Sequence, residues 1–360
     1  MAVVDRLTPR HKIRPERTKP SRESCSLLDL CYDYLETLDP MPAVGVCVCS
    51  SVAVGTATRA SDIDLGVVVP DGVPVSSEKL RFRDSFIDHC EWPVGWLADV
   101  CTNPFSNPVL AYSLAYSLIL YDSEGALANT KEECRRLIQS RDAAMQWVER
   151  SLGLAERRLQ DAVTRLNVGD LPVAGLHIYN SVRRTAEAIM HCVPAGHCGD
   201  WPHRLRDFAH TSGNPWVIAD AEQAVAPGGW STQILRDMVE PIGQLHREAS
   251  KDPTDLAIGC SDVSAAFFTR KASHYAASED WLSLIHVFDR QMGYIDLGLQ
   301  AKMQRIELVS AAREMSATRG RVAKTILDAR GCTLESLRSV SDKLGAYIER
   351  DRSLAKDVIT

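Results

Sequence analysis

Ser50-Ser51-Val52-Ala53-Val54-Gly55-Thr56-Ala57-Thr58-Arg59-Ala60-Ser61-Asp62-Ile63-Asp64-Leu65 is the stretch whose reading decides the fold. The run Ala43 to Cys49 before it is apolar and β-rich, and Asp62 to Val69 is a second such run. The stretch therefore joins two predicted strands through a turn of Ser, Gly, Thr and Ala. Asp62 and Asp64 are two residues apart, so on a strand both side chains leave one face, about 6–7 Å apart along the backbone. Such a pair can share hard divalent cations through oxygen ligands, which is what phosphoryl chemistry on a triphosphate needs. The small residues ahead of it leave backbone N–H groups and hydroxyls open to phosphate oxygens. Asp-x-Asp alone is common as a turn or a solvated pair, and its weight here comes from the flanking strands and the Ser51 and Gly55 spacings.

Those spacings resemble the GS-x3-G-x5-SDxD pattern of the DNA-polymerase-β-like nucleotidyltransferase superfamily, which includes kanamycin and streptomycin nucleotidyltransferases and the minimal nucleotidyltransferases. Ser51, Gly55, Ser61, Asp62 and Asp64 match in identity and spacing, while Ser50 stands where the pattern has its first glycine and restricts the backbone there. The resemblance implies an α/β (α+β) nucleotidyltransferase fold with a mixed sheet. It implies Mg²⁺ on Asp62 and Asp64, and ATP or another NTP held at Ser50, Ser51, Gly55 and Ser61. The reaction it implies moves a nucleoside monophosphate, AMP in the first instance, onto a small-molecule hydroxyl by a two-metal mechanism that releases pyrophosphate. A third carboxylate on a neighbouring strand is implied as metal ligand or base. Phe86-Ile87-Asp88-His89-Cys90-Glu91-Trp92 offers Asp88 and Glu91, which face opposite sides of a regular strand, so only one can meet the dyad. Asp88, inside the apolar body of the strand, is preferred; Glu91, beside Trp92-Pro93 where the strand should end, is the alternative.

Outward from this centre, the first 24 residues hold Arg6, Arg10, Lys12, Arg14, Arg17, Lys19 and Arg22 with little apolar content, the composition of a mobile basic arm. Leu27, Leu28, Cys31, Tyr32, Leu35 and Leu38 recur at helical spacing, ended by Asp39-Pro40. Leu80 to about Trp92 reads as a third strand, Pro108 to Tyr116 as a helix and Leu118 to Tyr121 as a fourth strand, which closes a domain over residues 25–125. Beyond it come long helical periods, Arg141 to Leu166, Ala174 to Cys192, Ser231 to Ala249, Leu284 to Ala329 and Leu334 to Ile348. Residues 126–360 are therefore expected to form an all-α helical bundle that binds the acceptor, with a C-terminal helical extension.

Leu176 to Glu187 looks like the helix that follows the catalytic domain in antibiotic-type nucleotidyltransferases. Tyr179, Arg183 and Glu187 lie on one helical stripe, with Arg183 suited to a phosphate and Glu187 to orienting an acceptor; an exposed ion-pair face is the other reading. His191-Cys192, His197-Cys198, His203 and His210 do not have the spacing of a zinc site.

Among 360 residues, 45% are hydrophobic and 24% charged, as in ordinary globular proteins. No run of about 18 apolar residues and no apolar N-terminal segment occurs, so a membrane span and a secretory signal are not expected and the cytoplasm is the expected compartment. The 11 cysteines, an odd number spread through apolar runs, fit reduced thiols. The net charge of −6 argues against a general nucleic-acid binder, which needs a basic stripe, and favours a neutral or cationic acceptor, aminoglycoside-like or another natural product. Two rival functions keep the same dyad: nucleotidylation of a protein or RNA partner, as in toxin-antitoxin systems, and a catalytically inactive nucleotide-binding relative, which the Ser50 departure allows. Some members of the superfamily build their active site across a homodimer, so that arrangement stands beside the monomer.

Overall fold

The computed structural model describes residues 19–38, 42–102, 108–190, 200–251, 261–305 and 308–359. Residues 1–18 of the expected basic arm, and the His-Cys pairs at 191–198, lie outside them. The chain divides into two compact units, the first running to Ala143 and the second from Ala144 onward.

Helix α1 (Arg22–Leu35) begins inside the stretch expected to be a mobile arm. Ser21 is its N-cap: the hydroxyl accepts from the Ser24 amide at 3.0 Å, which satisfies one of the orphan donors of the first turn. Leu28, Cys31, Tyr32 and Leu35, spaced three and four apart, form its buried stripe. Strand β1 (Gly45–Cys49) is followed by the one-turn helix α2 (Ser50–Val54), then by β2 (Ile63–Val69), β3 (Ser77–Phe82), β4 (Ser85–Pro93), α3 (Val94–Thr102), α4 (Pro108–Ala115), β5 (Leu118–Asp122) and α5 (Ala126–Gln139). The strands form one mixed sheet in the order β3-β4-β2-β1-β5, with β2 and β4 parallel and the other neighbours antiparallel. β1 is buried at every position, as suits a strand paired on both sides. β3, at the edge, is exposed or half-buried throughout and carries the charged residues expected of an unpaired rim. α1 covers one face of the sheet, packing on Val46, Val48, Ile63, Leu65, Val67 and Ile87.

The single strand expected over Leu80 to Trp92 is a hairpin. Phe82 pairs with Ser85, and the chain turns at Arg83-Asp84 with Arg83 at φ 50°. Arg83 compensates through its side chain, which donates to Asp33 at 2.5 Å. The boundary expected near Gly125 also moves. α5 packs on α4, β5 and β1; its first turn donates to the Asp122 carboxylate, and Lys131 and Arg135 donate to the carbonyls of Ser117 and Ala115 at 2.6 and 3.1 Å.

The second unit is all helical: α6 (Arg141–Asn167), α7 (Leu171–Met190), α8 (Trp201–Ser212), α9 (Trp216–Val225), α10 (Thr232–Asp237), α11 (Val239–Ala249), α12 (Asp262–Ala277), α13 (Trp281–Met303), α14 (Val309–Ala329) and α15 (Leu334–Ile359). The helix expected over Ser231 to Ala249 breaks at Met238, because Pro241 has no N–H to donate and fits only the first turn of a new helix. The core holds a polar cluster in which Asp200, largely but not fully covered, binds Lys271 at 2.5 Å and faces His286 at 3.3 Å. His286 in turn bonds the Tyr179 hydroxyl at 2.9 Å, and the Trp201 indole donates to that hydroxyl at 3.2 Å. Burial opposes the charge on Asp200, but the Lys271 and His286 partners hold its carboxyl well below the usual range.

Asp351 on α15 has no such support. It is 7% exposed, and its Oδ1 is buried with no hydrogen-bond partner among the described residues. Burial pushes its carboxyl up to about 7, against the pull of Arg350. The unfolded chain loses this proton near pH 3.8 and the folded chain only near 7, so stability falls as pH rises through that window and levels off above it. Asp351→Leu is expected to remove that slope and to be more stable than the parent by about 1–3 kcal/mol at pH 8, with the gap shrinking at pH 4.5. Urea denaturation of both proteins at the two pH values measures it; a variant equal to or weaker than the parent at pH 8 contradicts the assignment.

Candidate active site

The sheet builds the site by register. Asp64 on β2 lies beside Asp88 on parallel β4, and Asp88 lies opposite Lys79 on β3. One row across three strands thus reads Lys79, Asp88, Asp64, on the face opposite α1. Asp62, just ahead of β2, completes the group: Asp62, Asp64 and Asp88 each offer a carboxylate oxygen within 4.8 Å of the others. Glu91 is three residues from Asp88 and points to the other face. There its carboxylate accepts from the Ser76 amide at 2.7 Å and stands 3.8 Å from His89 Nε2. His89, whose Nδ1 bonds the Tyr34 hydroxyl at 2.9 Å, is held below its ordinary pKa by burial, with Glu91, Glu78 and Asp88 opposing.

The electrostatics follow from crowding. Burial and the neighbouring Asp62 carboxylate push the Asp64 carboxyl well above its usual range, with Asp88 adding to them and the Lys79 ammonium and Ser50 hydroxyl opposing. Lys79 is the counter-charge: its Nζ donates to Asp62 at 2.5 Å and stands 3.3 Å from Asp88, with the side chain only 7% exposed. Burial would discharge it, but Asp62, Asp88 and Asp64 hold it protonated above its ordinary value. Sequence reasoning missed Lys79, since only the β3–β4 register brings it to the row.

The turn before the dyad is more ordered than its composition suggests. Ser50, standing at the glycine of the pattern, takes φ 56°, the left-handed backbone that glycine adopts freely and that costs another residue about 1–2 kcal/mol. Its hydroxyl lies near the Asp64 carboxylate and favours the charged form. Ser51 lies in α2, and Gly55 ends that helix at φ 81°. The Gly55 and Ala57 carbonyls accept from the Ser21 amide and hydroxyl, and the Ala57 amide donates to Ser24 Oγ at 2.9 Å, so the N-terminus of α1 is stitched to the turn. Ser61 Oγ accepts from the Thr58 amide at 3.0 Å and closes the approach to Asp62. Two residues after Asp64 on the same face, Gly66 lies under the Trp92 ring, where a Cβ would come within 2.3 Å of Cζ3.

Three carboxylates converging with oxygen donors alone suit a hard cation such as Mg²⁺, and the strain on Asp64 is what an added positive charge would relieve. By contrast, Arg183 and Glu187 belong to α7 of the second unit and are paired with each other at 2.9 Å, with Arg184 also on Glu187 at 2.6 Å. Tyr179, placed on their stripe by spacing, is buried in that unit's core. Of the zinc candidates that are described, His203 bonds the Tyr275 hydroxyl at 2.9 Å.

No family model matches the chain, and no curated protein matches it. Among solved structures, the chain is similar to a nucleotidyltransferase-like protein from Exiguobacterium sibiricum, at 13% identity and a TM-score of 0.33, over 82% of this chain and 88% of that one. No helix of the described residues is long and apolar enough to cross a membrane, and the described cysteines are free thiols.

Lys79 as the resident counter-charge has a measurable consequence. Lys79→Met removes the counter-charge shared by three crowded carboxylates and is expected to lose about 3–5 kcal/mol of stability in EDTA. Added Mg²⁺ should restore part of that loss and raise the variant's melting temperature more than the parent's. Thermal melts with EDTA and with Mg²⁺ decide it; a variant as stable as the parent in EDTA rules out the role given to Lys79.

Proposed function

We propose that this protein is a metal-dependent nucleotidyltransferase that moves a nucleoside monophosphate, AMP from ATP as the first choice, onto the hydroxyl of a small molecule with release of pyrophosphate. The observation that carries the reading is the convergence of Asp62, Asp64 and Asp88 within 4.8 Å on one sheet face, directly after the turn that matches the pattern. Asp62, Asp64 and Asp88 would hold Mg²⁺. When bound, the cation neutralises triphosphate charge and lowers the pKa of the acceptor hydroxyl.

The chain's own residues supply position. The Ser50 hydroxyl favours the charged form of Asp64, and the Ser21 and Ser24 bonds to Gly55 and Ala57 fix the turn before nucleotide arrives, so little ordering entropy remains to be lost. Ser51 and Ser61 frame the two ends of that turn and offer hydroxyls and amides toward phosphate oxygens. An Asp88 carboxylate oxygen accepts the acceptor's hydroxyl proton. Glu91 has no part in this, being turned to the other face and engaged by Ser76. Ser50 takes a left-handed backbone, φ 56°, that glycine adopts freely, which favours an active enzyme over a nucleotide-binding relative without turnover. An aminoglycoside-like acceptor fits the acidic balance of the chain.

Incubation of the protein with Mg²⁺ and each α-labelled NTP, with and without aminoglycosides, tests the reading through pyrophosphate release and the fate of the label. Label on a small molecule supports it; label on protein or RNA moves the acceptor to a macromolecule; binding without turnover overturns it. Asp62→Asn, Asp64→Asn and Asp88→Asn are each expected to remain folded by circular dichroism and to lose at least about 10³-fold in turnover, several kcal/mol of transition-state stabilisation. Near-parental turnover in any of them removes that residue from the centre.

A further inference from the structure

Within the second unit, α7, α13 and α14 line a half-open cavity of about 150 Å³ that the proposed reaction does not use. Its walls are largely apolar, with Leu176 on α7, Met292 on α13 and Ile326 on α14. Two charged groups interrupt them. Arg330, which follows α14, is 5% exposed. Its Nε donates to the Val225 carbonyl at 2.6 Å, but its Nη2 is buried with no partner among the described residues. Asp289, one turn before Met292 on α13, makes no hydrogen bond or ion pair among the described residues. Burial pushes its carboxyl up, while the nearby His286, Arg183, Arg330 and Arg290 charges pull it down. Arg319 also lines the cavity, but Asp296 holds both edges of its guanidinium at 2.8 and 2.6 Å.

A buried guanidinium edge without an acceptor costs free energy, and so does a carboxyl without a donor. Arg330 and Asp289 feel each other's charge, yet they line one cavity without forming an ion pair. Opposite charges left apart across an apolar cavity are the complement of a molecule that carries both. We propose that this cavity is a binding site for a small zwitterion with an apolar side chain, its carboxylate on the Arg330 fork and its ammonium on Asp289, the chemistry of a hydrophobic amino acid. The guanidinium supplies paired N–H donors to the carboxylate, and Leu176, Met292 and Ile326 take the apolar side chain. The inference stands apart from the carboxylate triad, because neither Arg330 nor Asp289 has a role there.

Calorimetric titration of the full-length protein in EDTA tests it. The probes are phenylalanine and leucine, their des-amino counterparts 3-phenylpropionate and 4-methylpentanoate, and their decarboxylated counterparts phenethylamine and 3-methylbutylamine. At least one of the two amino acids is expected to bind about 10-fold or more tighter than both of its half-molecules. Asp289→Asn should abolish the advantage over the des-amino acid, and Arg330→Met the advantage over the amine. Ala323→Trp, which fills the cavity from α14 and leaves both charges in place, should abolish binding. If neither amino acid binds at about 10 mM, if a half-molecule binds as well as the whole, or if Ala323→Trp binds like the parent, the proposal is overturned.

Discussion

Like charges placed side by side must be held there, and the whole first unit can be read as the device that holds them. Asp64 and Asp88 are register partners on parallel strands, and Asp62 stands one residue ahead of the same strand. Released from the sheet, the three carboxylates would separate. The hydrogen-bonded ladder keeps them together, with β2 set between two partners and α1 packed on its other face. Lys79 removes part of the repulsion, and it does so from the edge strand, where a long side chain reaches inward without displacing core residues.

How far this could be read in the residues depends on whether the information was local. The dyad and its turn were legible because strand parity and small-residue spacing are properties of a short stretch. Parity also separated Asp88 from Glu91: residues three apart on a strand face opposite ways, and the two carboxylates do. Lys79 was hidden because its role depends on a hairpin register, and the turn at Arg83-Asp84 has neither the glycine nor the asparagine that marks such turns. The start of α1 was hidden by charge. Arg22 and Glu23 read as tail, but Ser21 and Ser24 are the residues that begin and anchor the helix.

In the second unit, periodicity located α6, α7 and α15, and it ran α13 and α14 together because both present apolar faces at compatible spacing. It also placed Tyr179 with Arg183 and Glu187. The offset of a few tens of degrees between i and i+4 is enough to send Tyr179 into the core beside His286 and Trp201, while the two charged residues pair at the rim. Partner choice for such groups is a tertiary matter. It is decided by which helix lies alongside, as with Asp200, which gathers Lys271 and His286 from two helices remote in sequence.

The stitching of Ser21 and Ser24 to Gly55 and Ala57 bears on the order in which the molecule comes together. A ribosome delivers the serines some thirty residues before the loop they secure, so the finished shape of the loop depends on an earlier piece of chain. Conversely, whatever loosens the first turn of that helix acts on the loop ahead of Asp62 without touching a single residue in it, and natural or engineered changes near the N-terminus become a remote control over the distant aspartates.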